Sequence, residues 1–227
     1  MVLGGKITDP ALFRERLAQA GLVLAADSGA RHVLQAGAYP AEVYGDMDSL
    51  ATDEMRSLVN NGCRLVASPA EKDDTDGALV LREALGRGFG DIRIWGALGG
   101  RPDHAYANMM LLQLALQPEY RQIYGKAEDD LPEAVIEDGG IRVFLAKRGQ
   151  WIEGEAGEYL SLFALTPEVT GFTQEGLKYQ PADGRFTSAF PLGVSNEFTG
   201  NRARLDWDEG ILLCMQVNIR KKGREWT

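Results

Sequence analysis

The chain has 227 residues, of which 44% are hydrophobic and 25% charged, as in a globular protein with one large or two small domains. Its formal net charge of −9 argues against a nucleic-acid or anionic-membrane surface, because both favour a basic patch. No apolar run approaches the ~20 residues of a membrane span, the start lacks a signal-peptide pattern, and Cys63 and Cys214 lack a zinc-site spacing. We therefore expect a cytoplasmic protein with no nucleic-acid or membrane partner.

Short apolar strands alternate with helices through about the first 125 residues. The pattern predicts helices over 11–19, 31–36, 52–60, 77–85 and 105–116, and strands over 22–26, 42–44, 64–67 and 92–97. Asp9, which precedes a proline, is predicted to cap the first helix, and Thr52 the third. This alternation indicates a mostly parallel sheet flanked by helices, a Rossmann-like α/β domain. In such sheets ligands bind at the carboxyl ends of the strands.

The pattern changes after residue 128. Residues 129–133 are polar and contain a proline, and they are predicted to be a linker. Beyond it, short runs punctuated by glycine predict strands over 141–146, 159–164, 176–179, 185–186, 202–207 and 211–219. We expect an α/β domain over 1–128, an antiparallel β-sandwich domain over 138–222, and a solvated tail over 221–224.

Aspartates follow four of the predicted strands. Asp46 and Asp48 come directly after one strand, two residues apart, so that in an extended chain both carboxylates point the same way. Carboxylate oxygens suit a hard divalent cation such as Mg²⁺, whereas the alternative is an acidic turn whose aspartates bond their own backbone. Asp27, the stretch 73–76 and Asp103 follow the other three strands, and this recurrence favours a binding site.

Two of the loops also carry cations and helix starts. Lys72 offers a positive charge to a phosphate and Thr75 a hydroxyl, although an N-cap of the following helix explains one or two of the residues in 72–76. Residues 99–104, Gly-Gly-Arg-Pro-Asp-His, join a strand to a helix, where free N–H groups favour phosphate. His104 is equally compatible with a structural role, capping this helix or bonding Asp103.

The residues by themselves predict Mg²⁺-dependent transfer or hydrolysis on a nucleotide-like phosphate. Neither the P-loop pattern nor GxGxxG is present, so the usual kinase and dinucleotide fingerprints are missing from the sequence. In metal-assisted phosphoryl chemistry the protein mainly positions groups and neutralises charge, which fits carboxylates, a lysine and an arginine at one sheet edge.

Five ordered motifs resemble those of the thiamine pyrophosphokinase family. They are Ala-Asp-Ser-Gly at 26–29, Gly-Asp-Met-Asp-Ser at 45–49, Lys-Asp-Asp-Thr-Asp at 72–76, Gly-Gly-Arg-Pro-Asp-His at 99–104 and Ser-Asn-Glu-Phe at 195–198. The resemblance covers about residues 2–217. It implies an ATP-binding α/β domain, a smaller β-sandwich domain that helps to bind thiamine, a homodimer, and transfer of a pyrophosphoryl group from ATP to thiamine.

The resemblance also implies roles for individual residues. The implied catalytic residues are Asp27, Asp46, Asp48, Asp73 and Asp76, of which Asp46, Asp48 and Asp76 would hold Mg²⁺. The implied ATP and phosphate contacts are Lys72, Asp74, Thr75, Arg101, Asp103, His104 and Asn108. The implied thiamine contacts are Ser195, Asn196 and Phe198, although from the residues alone Phe198 is equally compatible with an anchor in the core.

The sequence departs from the family pattern at three positions and leaves two other functions open. Ser28 replaces a frequent second glycine, Met47 replaces phenylalanine, and Pro102 replaces an apolar residue, but no charged ligand is lost. The alternatives are a Mg²⁺-dependent phosphatase that uses Asp46 and Asp48, and a nucleotide or thiamine sensor without turnover. The N-terminal strand is expected to be very short.

Overall fold

The structure, a computed structural model, describes residues 1–67, 74–125 and 130–218. Within these ranges the chain forms two compact units, the first from residues 1–67, 74–125 and 131–139, and the second from residue 130 and residues 140–218. Across the same ranges, no helix is both long enough and apolar enough to cross a membrane.

Helices and strands alternate in the first unit, as the sequence predicts. In chain order they are α1 (Pro10–Gln19), β1 (Leu24–Ala26), α2 (Gly29–Gln35), β2 (Glu42–Gly45), α3 (Thr52–Asn60), β3 (Arg64–Ala67), α4 (Asp76–Gly86), β4 (Asp91–Ile94), α5 (Pro102–Leu111), a 3₁₀ helix (Leu112–Leu116), α6 (Arg121–Tyr124) and β5 (Glu133–Asp138). The helix predicted over 105–116 therefore begins earlier and changes to the tighter 3₁₀ form for its last turn.

Parallel pairing joins these strands, and the order of the sheet reverses beside the N-terminus. β2 pairs with β1 on one side and β3 on the other, while β4 pairs with β5. Val2 forms parallel bridges to Ala25 and to Trp95, so the N-terminal residues lie between β1 and the segment that continues β4. β1 to β3 lie on one side of Val2, and β4 and β5 lie on the other. The strand order therefore reverses at Val2, and such a topological switch point is where ligands bind in open α/β sheets.

Side chains cap the starts of α1 and α3, as predicted for α1 but by a different residue than predicted for α3. The carboxylate of Asp9 accepts a hydrogen bond from the N–H of Leu12 at 3.0 Å and caps α1, whose first residue is a proline. Thr52, predicted to cap α3, is instead its first residue. Ala51 occupies the cap, and the side chain of Glu54 accepts a hydrogen bond from the Ala51 N–H at 2.8 Å.

A strand of the first unit, β5, begins at the last residue of the predicted linker and was not predicted. Val135 and Ile136 are fully buried in β5, which lies beside β4. Two acidic residues of β5 are also buried and paired. Asp138 accepts hydrogen bonds from the backbone N–H and the hydroxyl of Thr8, both at 2.8 Å, and Glu137 lies 3.6 Å from the guanidinium of Arg93.

The second unit consists of antiparallel strands, which confirms the predicted class of this part of the chain. The strands are β6 (Ile141–Leu145), β7 (Trp151–Glu153), β8 (Tyr159–Ala164), β9 (Glu168–Val169), β10 (Thr173–Glu175), β11 (Phe186–Thr187), β12 (Arg202–Asp206) and β13 (Leu212–Val217). β13 pairs with β6 and β8, β12 pairs with β7 and β10, and β9 pairs with β11.

The strand predicted over 176–179 is wrong. Gly176 has a positive φ of 87° and turns the chain after β10. The side-chain amide of Gln174 then bonds both the N–H and the carbonyl of Leu177, at 2.8 and 3.0 Å, and holds the segment as a loop. The predicted tail over 221–224 lies outside the described residues.

Candidate active site

The turn after β1 holds Asp27 in a conformation that is uncommon for a residue with a side chain. Its φ is +40°, in the left-handed region that aspartate tolerates better than most residues. The N–H of Asp27 donates to the carbonyl of Tyr44 at 2.9 Å, and its own carbonyl accepts from the N–H of Ala30 at 3.0 Å. The residue is thereby fixed to β2 on one side and to α2 on the other.

The turn after β2 carries Asp46 and Asp48, and it contains the local hydrogen bond that the acidic-turn alternative predicts. Oδ1 of Asp46 accepts from the N–H of Asp48 at 3.1 Å, and Met47 between them has a φ of +65°. The same turn also brings the N–H of Met47 near the carboxyl group of Asp27, where it lowers the pKa of that group and partly offsets the effect of burial. A local turn and a cluster of carboxylates are therefore both present.

Four of the predicted aspartates form one electrostatic cluster. Burial, followed by the contact with the carboxyl of Asp76 and the charge of Asp46, raises the pKa of Asp27 to about 7. The contact with Asp46 and then the charge of Asp76 raise the pKa of Asp48. Like charges gathered at one place hold protons or take up a cation, and perturbed carboxyl groups at strand ends are a common property of functional sites.

The start of α4 brings Asp76 into this cluster. The hydroxyl of Thr75 caps the helix by accepting from the N–H of Ala78 at 3.2 Å, which agrees with the N-cap interpretation of this residue. Asp74 forms an ion pair with the guanidinium of Arg82 at 3.5 Å, a partner that the sequence analysis did not consider. Lys72 and Asp73 lie outside the described residues.

The loop between β4 and α5 places Arg101 and Asp103 against each other. Nη2 of Arg101 lies 2.6 Å from Oδ2 of Asp103, and both side chains are largely exposed. The pair holds the pKa of Asp103 below its usual range, with a smaller contribution from the backbone N–H of His104. Arg101 is therefore already oriented by an anion of its own chain.

Asn108 connects two strand ends. Its Nδ2 donates to the carbonyl of Ala97 at 3.0 Å, and its Oδ1 lies close to the start of α4 at Gly77, 3.5 Å from where a Cβ would stand. Sequence reasoning missed the close packing of Gly4 and Gly5 after the bridge of Val2: a Cβ on Gly4 would stand 2.1 Å from Oγ of Ser28, the neighbour of Asp27. A pair of glycines after an apolar start was the available signal, but the strand before them was too short to be given weight.

In the second unit, the three predicted thiamine contacts lie in one loop but differ in exposure. Ser195 is exposed, with a φ of +58° and its N–H bonded to the hydroxyl of Ser161 at 3.0 Å. Asn196 is buried, and its side-chain amide bonds the carbonyl and the N–H of Tyr179 at 2.7 and 2.9 Å. Phe198 is buried against Gly154, as the core-anchor alternative predicts, and its contact with thiamine stays a prediction.

The donor set of the first unit fits a divalent cation in its chemistry. Oδ1 of Asp27 is buried and has no hydrogen-bond partner among the described residues, and carboxylate oxygens are what Mg²⁺ prefers. Within those residues no three His, Cys, Asp or Glu side chains are already spaced to hold a metal ion. The contacts that are present are pairwise: Asp27 lies against Asp76, and Asp46 against Asp48.

The fold and the site define a two-part protein, with a carboxylate cluster at the strand ends of an α/β unit and a second unit of antiparallel sheets. Residues 13–124 match the model "Thiamin pyrophosphokinase, catalytic domain", and residues 150–212 match "Thiamin pyrophosphokinase, vitamin B1 binding domain". The chain belongs to the thiamin pyrophosphokinase family. This confirms the resemblance stated from the five motifs.

Individual relatives agree with this assignment over nearly the whole chain. Thiamine pyrophosphokinase of Bacillus subtilis is 28% identical over 195 residues, which are 86% of each protein. The crystal structure of the enzyme from the same organism has a TM-score of 0.78 at 25% identity and covers 96% of this chain and 97% of that one. The family protein from Enterococcus faecalis has a TM-score of 0.74 at 29% identity, with the same coverage.

Proposed function

We propose that this chain is a thiamine pyrophosphokinase, which transfers the pyrophosphoryl group of ATP to the hydroxyl of thiamine and releases AMP. The observation that carries the proposal is the cluster of Asp27, Asp46, Asp48 and Asp76 at the strand ends of a chain whose two parts match the catalytic and vitamin B1 binding models. The comparisons do not favour the phosphatase and sensor alternatives.

The reaction forms one bond to phosphorus and breaks another. The thiamine hydroxyl oxygen attacks the β-phosphorus of ATP in line, the bond from that phosphorus to the oxygen shared with the α-phosphate breaks, and AMP leaves. Asp76 orients the hydroxyl and accepts its proton, a role compatible with its place beside Asp27 at the start of α4. A bound Mg²⁺ would supply positive charge for the phosphate oxygens.

The carboxylates hold the cation and the cationic side chains hold phosphate. Asp46, Asp48 and Asp76 are the proposed Mg²⁺ ligands, with Asp27 beside them. Arg101, oriented by Asp103, presents a planar donor group that suits phosphate oxygens. The other proposed nucleotide contacts come from the two loops and α5: Lys72, Asp73, Asp74, Thr75, His104 and Asn108.

The second unit supplies the thiamine contacts in this proposal. Ser195 is the exposed member of the loop and is available for a hydrogen bond to the pyrimidine. Asn196 already satisfies its amide within the protein, so its proposed contribution requires exchange of a bond with Tyr179 or acts through the shape of the loop. Homodimerisation and a cytoplasmic location, both predicted from the sequence, stay part of the proposal.

The decisive assay incubates the purified protein with ATP, Mg²⁺ and thiamine and separates the products by chromatography. Equal amounts of AMP and thiamine diphosphate support the proposal. Release of inorganic phosphate without thiamine diphosphate would indicate a phosphatase, and binding without product would indicate a sensor. Asp53→Asn is the matched control for the aspartate variants, because Asp53 is exposed on the first turn of α3.

A further inference from the structure

Gly45, the last residue of β2, lies against the carboxyl group of Asp27. A Cβ built on Gly45 would stand 1.7 Å from Oδ1 of Asp27 and 2.4 Å from its Cγ, far inside any allowed contact. Gly45 is buried and has a φ of +146°, so an L-residue here would also strain the backbone. The space that a side chain would fill is occupied by the carboxyl group of another strand end.

The backbone of Asp27 cannot move away easily, so the contact can be relieved only by rotating the side chain and taking the carboxyl group away from Asp76. The backbone is fixed at a φ of +40° by the bonds to Tyr44 and Ala30. The start of α2, two residues after Asp27, is equally close-packed, since a Cβ on Gly29 would stand 2.2 Å from the carbonyl oxygen of Val2. A side chain at position 45 would therefore have to displace the Asp27 carboxyl group.

The Asp27 carboxyl group fills the space beside Gly45, and its burial there costs free energy unless a ligand binds to it. Oδ1 of Asp27 is buried without a hydrogen-bond partner in the described part of the chain, and the carboxyl group faces Asp76. A buried, unpaired carboxylate oxygen is unfavourable by itself, so its retention beside three other aspartates points to a cation or a polar substrate group.

We propose that Gly45 is a positioning residue, whose missing side chain lets the Asp27 carboxyl group lie beside Asp76 and so sets the affinity for Mg²⁺ and nucleotide. The link to Mg²⁺ and nucleotide rests on the proposed function, whereas the steric coupling between Gly45 and Asp27 does not. Gly45 touches no reacting atom and acts through Asp27.

A double-mutant cycle separates the two ways in which an alanine at position 45 can act. The proteins are the full chain, Gly45→Ala, Asp27→Gly and the double variant. Gly62→Ala is the control, because Gly62 has a φ of +84° and no atom within 4 Å of its built Cβ, so it measures backbone strain alone. That control should lower the midpoint of thermal unfolding by about 2–4 °C.

The expected result is strong coupling between positions 27 and 45. Gly45→Ala should lower the unfolding midpoint by more than twice the shift of Gly62→Ala. Calorimetry should show that the affinity for Mn²⁺ with a non-hydrolysable ATP analogue falls about tenfold or more, since losing the residue that positions a metal ligand typically lowers metal affinity by about 10–100-fold. In the Asp27→Gly background, Gly45→Ala should lower the midpoint by less than half of its effect in the unmodified chain and should not weaken binding further.

Equal effects of Gly45→Ala in both backgrounds would overturn the proposal. If Gly45→Ala does not fold, the double variant decides: folding of the double variant supports the steric coupling, and failure to fold beside a folded Asp27→Gly protein overturns it. If the unmodified chain binds no nucleotide and forms no thiamine diphosphate, the proposed function fails, while the unfolding midpoints still test whether Gly45 accommodates Asp27. Intact binding by a folded Gly45→Ala protein would refute the positioning role.

Discussion

Replacement of Asp27 by asparagine should stabilise the ligand-free protein while it impairs catalysis. Asparagine has the shape of aspartate, tolerates a positive φ, and adds an N–H donor beside the carboxyl group of Asp76. It also removes the charge that burial and the neighbouring aspartates make unfavourable. A gain in stability from a change in the site would show that the carboxylate is kept for a ligand rather than for the fold.

The size of this gain follows from the pKa of Asp27. The pKa rises from the ordinary 3.8 to about 7. Such a difference corresponds to at most about 4 kcal/mol between the charged and neutral forms, which solvent screening at a carboxyl group that is only partly buried reduces to about 1–2 kcal/mol. For a chain of this length, the midpoint of thermal unfolding should increase by about 2–8 °C at pH 8.

The pH dependence provides an internal control for this prediction. Between about pH 4 and pH 7 the folded state binds the proton more tightly than the unfolded state, so this carboxyl group makes the protein less stable as pH rises through that window. Asp27→Asn should therefore be most stabilising above pH 7 and almost neutral near pH 4.

Thermal unfolding in EDTA, at pH 4 and pH 8, tests both statements, with Asp53→Asn as the control. A gain of equal size at the two pH values, or no gain at pH 8, would refute the electrostatic argument. Added Mg²⁺ and ATP analogue should then stabilise the unmodified chain more than the Asp27→Asn protein, because the ligand uses the charge that the substitution removes.

Three further changes test the acidic helix start and the loop of the second unit. Asp76→Asn should lower turnover about 100-fold or more while the unfolding midpoint stays the same or rises, because the substitution also removes a charge that faces Asp27; normal turnover would exclude the role given to Asp76. Thr75→Ala should lower the unfolding midpoint by about 2–4 °C through loss of the bond to the Ala78 N–H, whereas Thr75→Ser should not; equal losses would contradict the capping argument. Asn196→Ala should cost about 2–3 kcal/mol in urea unfolding, because it leaves both backbone groups of Tyr179 unpaired, and a loss under 1 kcal/mol would contradict this.

The elements whose apolar pattern was unambiguous could be predicted from sequence. α3, β3 and β8 have the predicted bounds, and Asp9 caps α1 as its position before a proline suggested. β5 was missed because its apolar run over 134–136 is short and is followed by the acidic residues Glu137 and Asp138. Only the fold brings Arg93 and Thr8 close enough to pair with them, and this pairing cannot be inferred from local sequence.

The same distinction applies to the site. That aspartates would gather at one sheet edge follows from parallel strands, whose carboxyl ends meet, and the structure places Asp27, Asp46, Asp48 and Asp76 in contact or electrostatic reach. Which carboxyl groups face each other depends instead on the turns. The left-handed conformation of Asp27 is not encoded by a glycine at that position, so a sequence pattern does not reveal it.

The turns also explain how Asp46 and Asp48 can have a local structural role and a functional role at the same time. The hydrogen bond from the Asp48 N–H to Asp46 shapes the turn, and the turn directs the Met47 N–H to Asp27. If the turn served only to end β2, the Asp27 carboxyl group beside it would simply lower the stability of the fold, since like charges destabilise one another. The local bond and the cluster are parts of one arrangement, in which a glycine at the strand end gives room for the carboxylate and the acidic turn holds it there.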